Sequence, residues 1–321
     1  MFTVTINHSI TEYIVSSSYP LVPNIILDFV AIAFCVIAIC KTCLFIVWIL
    51  LRRLLTKPEH KVLFLLSVNM YASILIFNCF CIDMFISMVK GHFYPNVFQT
   101  EYDTLWCRLN AYLSNVLLIC SLYSTTFQAF HRCLRIICYT SPAIYQNINW
   151  CLIGIVIQVL LSLLQPLPLI LANIYQYNDY HCQVQFTNWS GMIVAAALVW
   201  ILPISPTIAT YLYTIYFIRR NSLYFTHRQH TRIKRDMTVI RRIVWLIIFI
   251  VIFGIPACST TVVYYLFGYV SWWENYVIWL TFILSFIGVS TVQTFYSPHL
   301  RILWSRPSRR VGPTIHGRYR S

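Results

Sequence analysis

Seven long apolar stretches occupy most of this chain, at about residues 25–51, 61–89, 104–138, 149–174, 190–218, 238–267 and 272–296. A helix needs about 20 predominantly apolar residues to cross about 30 Å of hydrocarbon, and each stretch meets that length. The expected fold is therefore an all-α membrane protein, a bundle of seven transmembrane helices.

The charges orient it. Of 23 Lys and Arg residues, 20 lie in the segments after stretches one, three, five and seven. They are Arg52, Arg53, Lys57 and Lys61; Arg132 and Arg135; eight residues from Arg219 to Arg242; and six from Arg301 to Arg320. Short loops rich in Lys and Arg stay cytoplasmic, so the N-terminus is expected outside. Most acids fall on the opposite side: Glu12, Asp28, Glu101, Asp103, Asp179 and Glu274, with Asp83 in the outer half of the second stretch. The formal charge of +14 is thus a juxtamembrane property. It points to anionic lipid headgroups and an acidic cytosolic partner, not to nucleic acid, because no arginine-rich domain with interleaved aromatics is present.

The first 23 residues are polar, with neither a basic n-region nor an apolar core of signal-peptide type, so the first span is expected to direct its own insertion. They form an extracellular tail ahead of a membrane domain over 24–306, followed by a disordered basic tail over 307–321. Leu300, Ile302, Leu303 and Trp304 interleave with His299, Arg301 and Arg306, the pattern of a short helix lying in the membrane interface after the seventh span. Asn7 and Asn188 each begin a glycosylation sequon on the expected outer side. Ten of the twelve cysteines lie within or at the cytosolic ends of spans, where thiols stay reduced. Cys107 and Cys182 remain as the pair on the oxidising face, and a bond between them would pin the loop after span four across the mouth of the bundle.

Together these features resemble the rhodopsin-like G protein-coupled receptors. That family shares a disulfide from its third helix to the second extracellular loop and an arginine 25 residues after the helix-three cysteine, which counts from Cys107 to Arg132. Ser121-Leu122-Tyr123-Ser124 is similar to the small-residue pattern of that helix. Pro203 and Tyr211 keep the family's eight-residue separation in span five, Pro256 stands where span six kinks, and Asp236 lies twenty residues before it. The departures are specific. The family tripeptide reads His131-Arg132-Cys133, Gly254 replaces a tryptophan, and Val289-Ser290-Thr291-Val292-Gln293 stands where helix seven carries Asn-Pro-x-x-Tyr. Span two has no aspartate near Asn69 to Ser73, the position of the family's internal sodium site. Arg135, Pro142 and Tyr145 offer a second registration, which moves the arginine by three residues, nearly one turn.

The resemblance implies a plasma-membrane receptor without enzymatic activity or cofactor, coupling an unknown extracellular ligand to a heterotrimeric G protein. Asp236 would pair with Arg132 and hold the bundle closed, beside His131 and Tyr211, with Pro203 and Pro256 supplying the kinks. The ligand pocket would contain Ser114, Asn115, Ala257, Cys258, Thr261 and Trp279, faced by Ala195 and Val199. Because Ser114 occupies the place where amine receptors carry an aspartate, a small non-amine ligand is expected. Lys41, near the middle of span one, is expensive in hydrocarbon and is expected to snorkel or to face the interior, within reach of Asn69.

Other classes fit poorly. Asp83 has no facing partner for an intramembrane aspartyl protease, no His-Glu-x-x-His occurs, and Gly288-Val289-Ser290 lacks the glycine of a nucleophile elbow. Span seven has no lysine for a retinal Schiff base. A transporter or channel is the alternative, opposed by the lack of an internal repeat and the scarcity of intramembrane charge.

Overall fold

The computed structural model describes residues 21–53, 61–94, 104–138, 147–178, 180–184, 188–221, 255–256, 259–260, 262–268 and 273–296. Among the described residues, six helical segments are long and apolar enough to span a bilayer: Val22–Leu51, Lys61–Phe93, Leu105–Ile137, Ile148–Leu171, Trp189–Asn221 and Glu274–Val292. They coincide with six of the seven expected spans, and the chain is a helical multi-pass membrane protein. Most of the expected span at 238–267 lies outside the described residues, as do Asn7, Asp236, Ala257, Cys258, Thr261, the interfacial helix and the basic tail.

The helices are α1 (Leu21–Arg53), α2 (Lys61–Phe93), α3 (Leu105–Ile137), α4 (Ile148–Leu164), a short α5 (Leu167–Leu171), α6 (Trp189–Ala196), α7 (Leu202–Asn221) and α8 (Glu274–Tyr296). Side-chain caps start three of them, with Thr104 Oγ1 accepting from Cys107 N, Asn147 from Asn149 N and Asn188 from Gly191 N. Each satisfies one of the orphan amides of a first turn. The Asn188 carboxamide of the sequon is thus also the cap of α6.

The bundle is inside out relative to a soluble protein. On α4 the buried residues are Cys151, Gln158 and Ser162, whereas Leu152, Ile153, Val156, Ile157, Leu160 and Leu164 are exposed. In water that arrangement would expose the apolar face and bury the polar one, but in lipid the cost reverses, because polar groups must find partners inside the bundle. Gln158 does so: its Nε2 donates to Ser124 Oγ (2.7 Å) and the Cys120 carbonyl (3.0 Å), and its Oε1 accepts from Asn69 Nδ2 (3.0 Å). Asn69 Nδ2 also donates to Ser124 Oγ (3.0 Å), so one amide network joins α2, α3 and α4. Close approach of α4 to α3 is possible because a Cβ at Gly154 would fall within the Phe127 ring.

Lys41 corrects an expectation. Its Nζ reaches α8, donating to the Ile287 carbonyl (3.0 Å), Ser290 Oγ (2.9 Å) and Thr291 Oγ1, rather than Asn69. Depth along the first two spans suggested Asn69, but α1 also packs against α8, and there the stretch in place of the family's helix-seven motif offers hydroxyls at the right height. Tyr71 of α2 adds a second tie, through Thr294 Oγ1 (2.7 Å) and the Ser290 carbonyl (3.3 Å).

Span four also departs from the continuous helix expected over 149–174. Pro166 ends α4, and α5 closes on Asn173 in the left-handed region (φ 51°). Ile174 N donates to the Leu169 carbonyl (3.0 Å) and Asn173 N to the Ile170 carbonyl (3.1 Å), a Schellman cap in which asparagine tolerates the positive φ. The chain then forms a hairpin, β1 (Tyr175–Asn178) and β2 (His181–Val184), antiparallel with Tyr177 opposite Cys182.

Between α6 and α7 lies a π-turn, Ala197–Ile201, in which Leu202 N–H donates to the Ala197 carbonyl. Leu198 is then bypassed: its next donor in the π register would be the nitrogen of Pro203, which carries no hydrogen. Gln165 Nε2, from the end of α4, donates to that carbonyl, while Gln165 Oε1 accepts from the Tyr123 hydroxyl of α3 (2.7 Å). Pro203 therefore does more than kink the helix. It leaves an acceptor that ties α3, α4 and α7 together.

Candidate functional site

The hairpin lies over one end of the bundle and is held there from four sides. Cys182 is disulfide-bonded to Cys107 at the start of α3, as the sequence led us to expect. Asn115 Nδ2 donates to the Tyr175 hydroxyl (2.8 Å), and burial of Tyr175 pushes its phenol well above the ordinary range, so it remains a neutral donor and acceptor. Gln183 Nε2 donates to Asn275 Oδ1 of α8 (3.2 Å). Tyr180, itself in the left-handed region (φ 63°), lays its ring where a Cβ of Gly91 would be and meets His92 edge to face at 5.0 Å. Only glycine on α2 permits that contact.

Beneath the hairpin is a cavity of about 410 Å³, the size of a small-molecule site. Its walls come from α2, α3, the hairpin, α6 with the π-turn, and α8. Ser114, Asn115 and Trp279 of the expected pocket are there, with Ala195 and Val199 opposite them. Ala257, Cys258 and Thr261 lie outside the described residues. Most of the wall is apolar or aromatic, including Met84, Leu118, Trp200 and Phe282, and the polar groups concentrate where α2, α3 and the hairpin meet. There Asn110 Nδ2 donates to Asp83 Oδ2 (2.8 Å), and Ser114 Oγ donates to the Asn110 carbonyl (2.9 Å).

No protein-family model and no characterised protein matches this chain. What the site can do is therefore argued from its own geometry.

A second polar cluster closes the same end between α1, α2 and α8. Asp28 is fully buried, with His92 Nε2 at 3.5 Å from its Oδ2, and the Tyr276 hydroxyl stands 3.2 Å from the same nitrogen. Sequence reading missed this group, although an aspartate within an apolar span is by itself a signal that a partner awaits inside the bundle. Asp83 carries the same signal, as does Gln158, the long polar side chain in mid-span.

At the opposite end of α3 sits Arg132, about 37 Å from Cys107 at 1.5 Å per residue. Tyr211 of α7 is an electrostatic neighbour of Arg132, and its hydroxyl is buried with no hydrogen-bond partner among the described residues. Two of the expected switch residues thus lie within electrostatic reach of each other at this end. His131 is buried beside them in sequence, Pro203 is buried at the start of α7, and its carbonyl accepts from Thr126 Oγ1 of α3 (3.1 Å). Pro256 is partly buried, and its carbonyl accepts from Ser259 Oγ (2.9 Å). Arg135 lies one turn after Arg132 on α3, so both registrations stay on one helix end.

Proposed function

We propose that this protein is a plasma-membrane receptor of the rhodopsin-like, G protein-coupled kind, with seven spans and its hairpin end outside the cell. The observation that carries the reading is the make-up of α3. One end joins by a disulfide to a hairpin roofing a small-molecule cavity, and the other presents an arginine within electrostatic reach of a buried tyrosine whose hydroxyl has no hydrogen-bond partner among the described residues. A disulfide persists in an oxidising compartment, which supports an extracellular hairpin and agrees with the basic segments at the other end.

A small extracellular ligand enters the cavity, and its differential affinity for two arrangements of the bundle shifts their populations. In the resting arrangement Asp236 pairs with Arg132. Its release lets the sixth helix move outward, and the opened crevice admits the G protein. Tyr211 is a candidate to receive Arg132 once the carboxylate has gone, because the two lie within electrostatic reach of each other.

Two measurements test this. Seven spans put the ends of the chain on opposite sides of the membrane, so a tag at Met1 is reached by antibody on intact cells and one at Ser321 only after permeabilisation. Six spans would put both on one side. For coupling, Asp236→Asn is expected to raise basal G protein activation severalfold, and Arg132→Ala to abolish it at equal surface expression. Substrate flux through the protein with no nucleotide exchange on any G protein would instead establish a transporter.

A further inference from the structure

We propose that the ligand is an organic cation, with Asp83 as its counter-ion and the surrounding aromatic rings as its cage. The inference rests on the receptor reading for its biological meaning, but its physical content is the charge balance of the cavity.

Among the described residues, Asp83 is the cavity wall's one carboxylate, and no lysine or arginine lines it. The hydrogen bond to that carboxylate comes from Asn110, a neutral amide, which orients Asp83 without neutralising it. The two cations nearest in sequence lie elsewhere. Arg108 Nη1 donates to Asn173 Oδ1 (3.1 Å), and Lys90, two turns beyond Asp83 on α2, is exposed and not part of the wall. The remaining wall is rich in π faces: Trp106, one turn before Asn110 on α3, with Tyr177, Tyr180 and Trp279. An ammonium group is attracted by both features at once, the carboxylate through charge and hydrogen bonding, the rings through their quadrupoles. A carboxylate or phosphate ligand would find no lysine or arginine among the described wall residues, only the His181 imidazole, and would be repelled by Asp83. A neutral ligand would gain nothing from the charge of that carboxylate.

The segments expected on the outer side carry the same sign in sequence. The α2–α3 connection bears Glu101 and Asp103, the hairpin turn bears Asp179, and the 60 residues from Ile243 to Ile302 include no lysine and only one arginine, Arg301, near the far end. Such a charge balance on the expected outer side attracts cations and speeds their arrival. This ligand class differs from the non-amine one suggested by Ser114, because the carboxylate comes from the neighbouring helix α2, and Asn110, one turn from Ser114, holds it at the cavity.

The test uses the full-length protein in lipid nanodiscs and a matched trio of probes. Tyramine carries an ammonium, 4-(2-hydroxyethyl)phenol replaces it with a hydroxyl, and 4-hydroxyphenylacetate replaces it with a carboxylate. Tryptamine and 2-phenylethyltrimethylammonium, with their uncharged counterparts, extend the series. Binding is read by thermal shift and tryptophan fluorescence. The charged amines are expected to bind at least about tenfold more tightly than their neutral isosteres, and the anion least well. Asp83→Asn should remove about ten- to a hundredfold of the amine affinity while leaving the neutral isosteres unchanged, and Asp83→Glu should retain much of the preference. Unchanged binding of the neutral probe to Asp83→Asn shows that the variant is folded; if the variant does not fold, the wild-type preference across the trio decides alone. No preference for the charged member in any pair, or preference for the anion, overturns the inference. Basal nucleotide exchange on G protein, measured with the same preparation, separates the two readings. Exchange without cation preference removes the ligand class and keeps the receptor, whereas cation preference without exchange does the reverse.

Discussion

Replacing Gln158 by leucine tests whether polar contacts, rather than lipid-facing bulk, hold α2, α3 and α4 together. The substitution removes four hydrogen bonds: to Ser124 Oγ, to the Cys120 carbonyl and Sγ, and from Asn69 Nδ2. Interhelical bonds in a membrane are worth about 0.6 kcal/mol each on average, so the gross loss is about 2 kcal/mol. Two effects reduce it. Asn69 Nδ2 keeps its bond to Ser124 Oγ, and leucine no longer has a polar group to accommodate. A net destabilisation of about 1–2 kcal/mol follows, read as a fall of roughly 2–4 °C in unfolding temperature per kcal/mol. Gln158→Ala should cost more, because an unfilled volume is added to the lost bonds. Thermal unfolding of purified protein in nanodiscs measures each variant, with Val156→Ala, 57 % exposed on the lipid face of the same helix, as the control expected to change little. A double-mutant cycle between Asn69→Ala and Gln158→Ala should give a coupling of about 0.6 kcal/mol, at most about 1.7. The reasoning fails if Gln158→Leu unfolds at or above the wild-type temperature and the cycle shows no coupling.

Cys107→Ser and Cys182→Ser should each lower surface expression or ligand response, and the double variant should cost about the same as either alone; mass spectrometry finding both thiols free would refute the bridge. Lys41→Met should leave stability within about 1 kcal/mol of wild type, because Ser290 and Thr291 already donate to the Ile287 carbonyl and are not orphaned when the ammonium goes; a loss several times larger in thermal unfolding would show that the cation itself holds α1 to α8. Gly91→Leu should displace Tyr180 and loosen the hairpin, seen as faster hydrogen exchange over 175–184 than in wild type, whereas unchanged exchange would mean that the hairpin does not depend on that contact.

How far the sequence reaches varies with the kind of constraint. Bilayer thickness imposes a length on every span, so six of them are readable as apolar runs. The oxidising face leaves few cysteines to choose from, so Cys107 and Cys182 are readable too. Ser114, Asn115 and Trp279 follow from the resemblance and do line the cavity. The hairpin is not readable, because each strand has only four residues, Tyr-Gln-Tyr-Asn and His-Cys-Gln-Val, too short for their apolar–polar alternation to stand out between long apolar spans. Partners of mid-span polar groups are also hidden. Lys41 could be matched by depth to Asn69 or to Ser290, and only the packing of α1 against α8 decides between them.

The π-turn has one more effect, on angular phase. The inward stripe of this span runs through Gly191, Ala195, Val199, Pro203, Thr207 and Tyr211, always four residues apart. In an uninterrupted α-helix each step of four drifts about 40°, so Gly191 and Tyr211 would end about 200° apart, on opposite faces. The wider turn at Ala197–Ile201 takes up part of that rotation, so the stripe keeps facing the bundle. Gain or loss of one residue in this turn therefore acts as a dial. It rotates the cavity-facing segment before Ala197 against the half that carries Tyr211, so the residues presented to a ligand can be changed while those beside Arg132 keep their place.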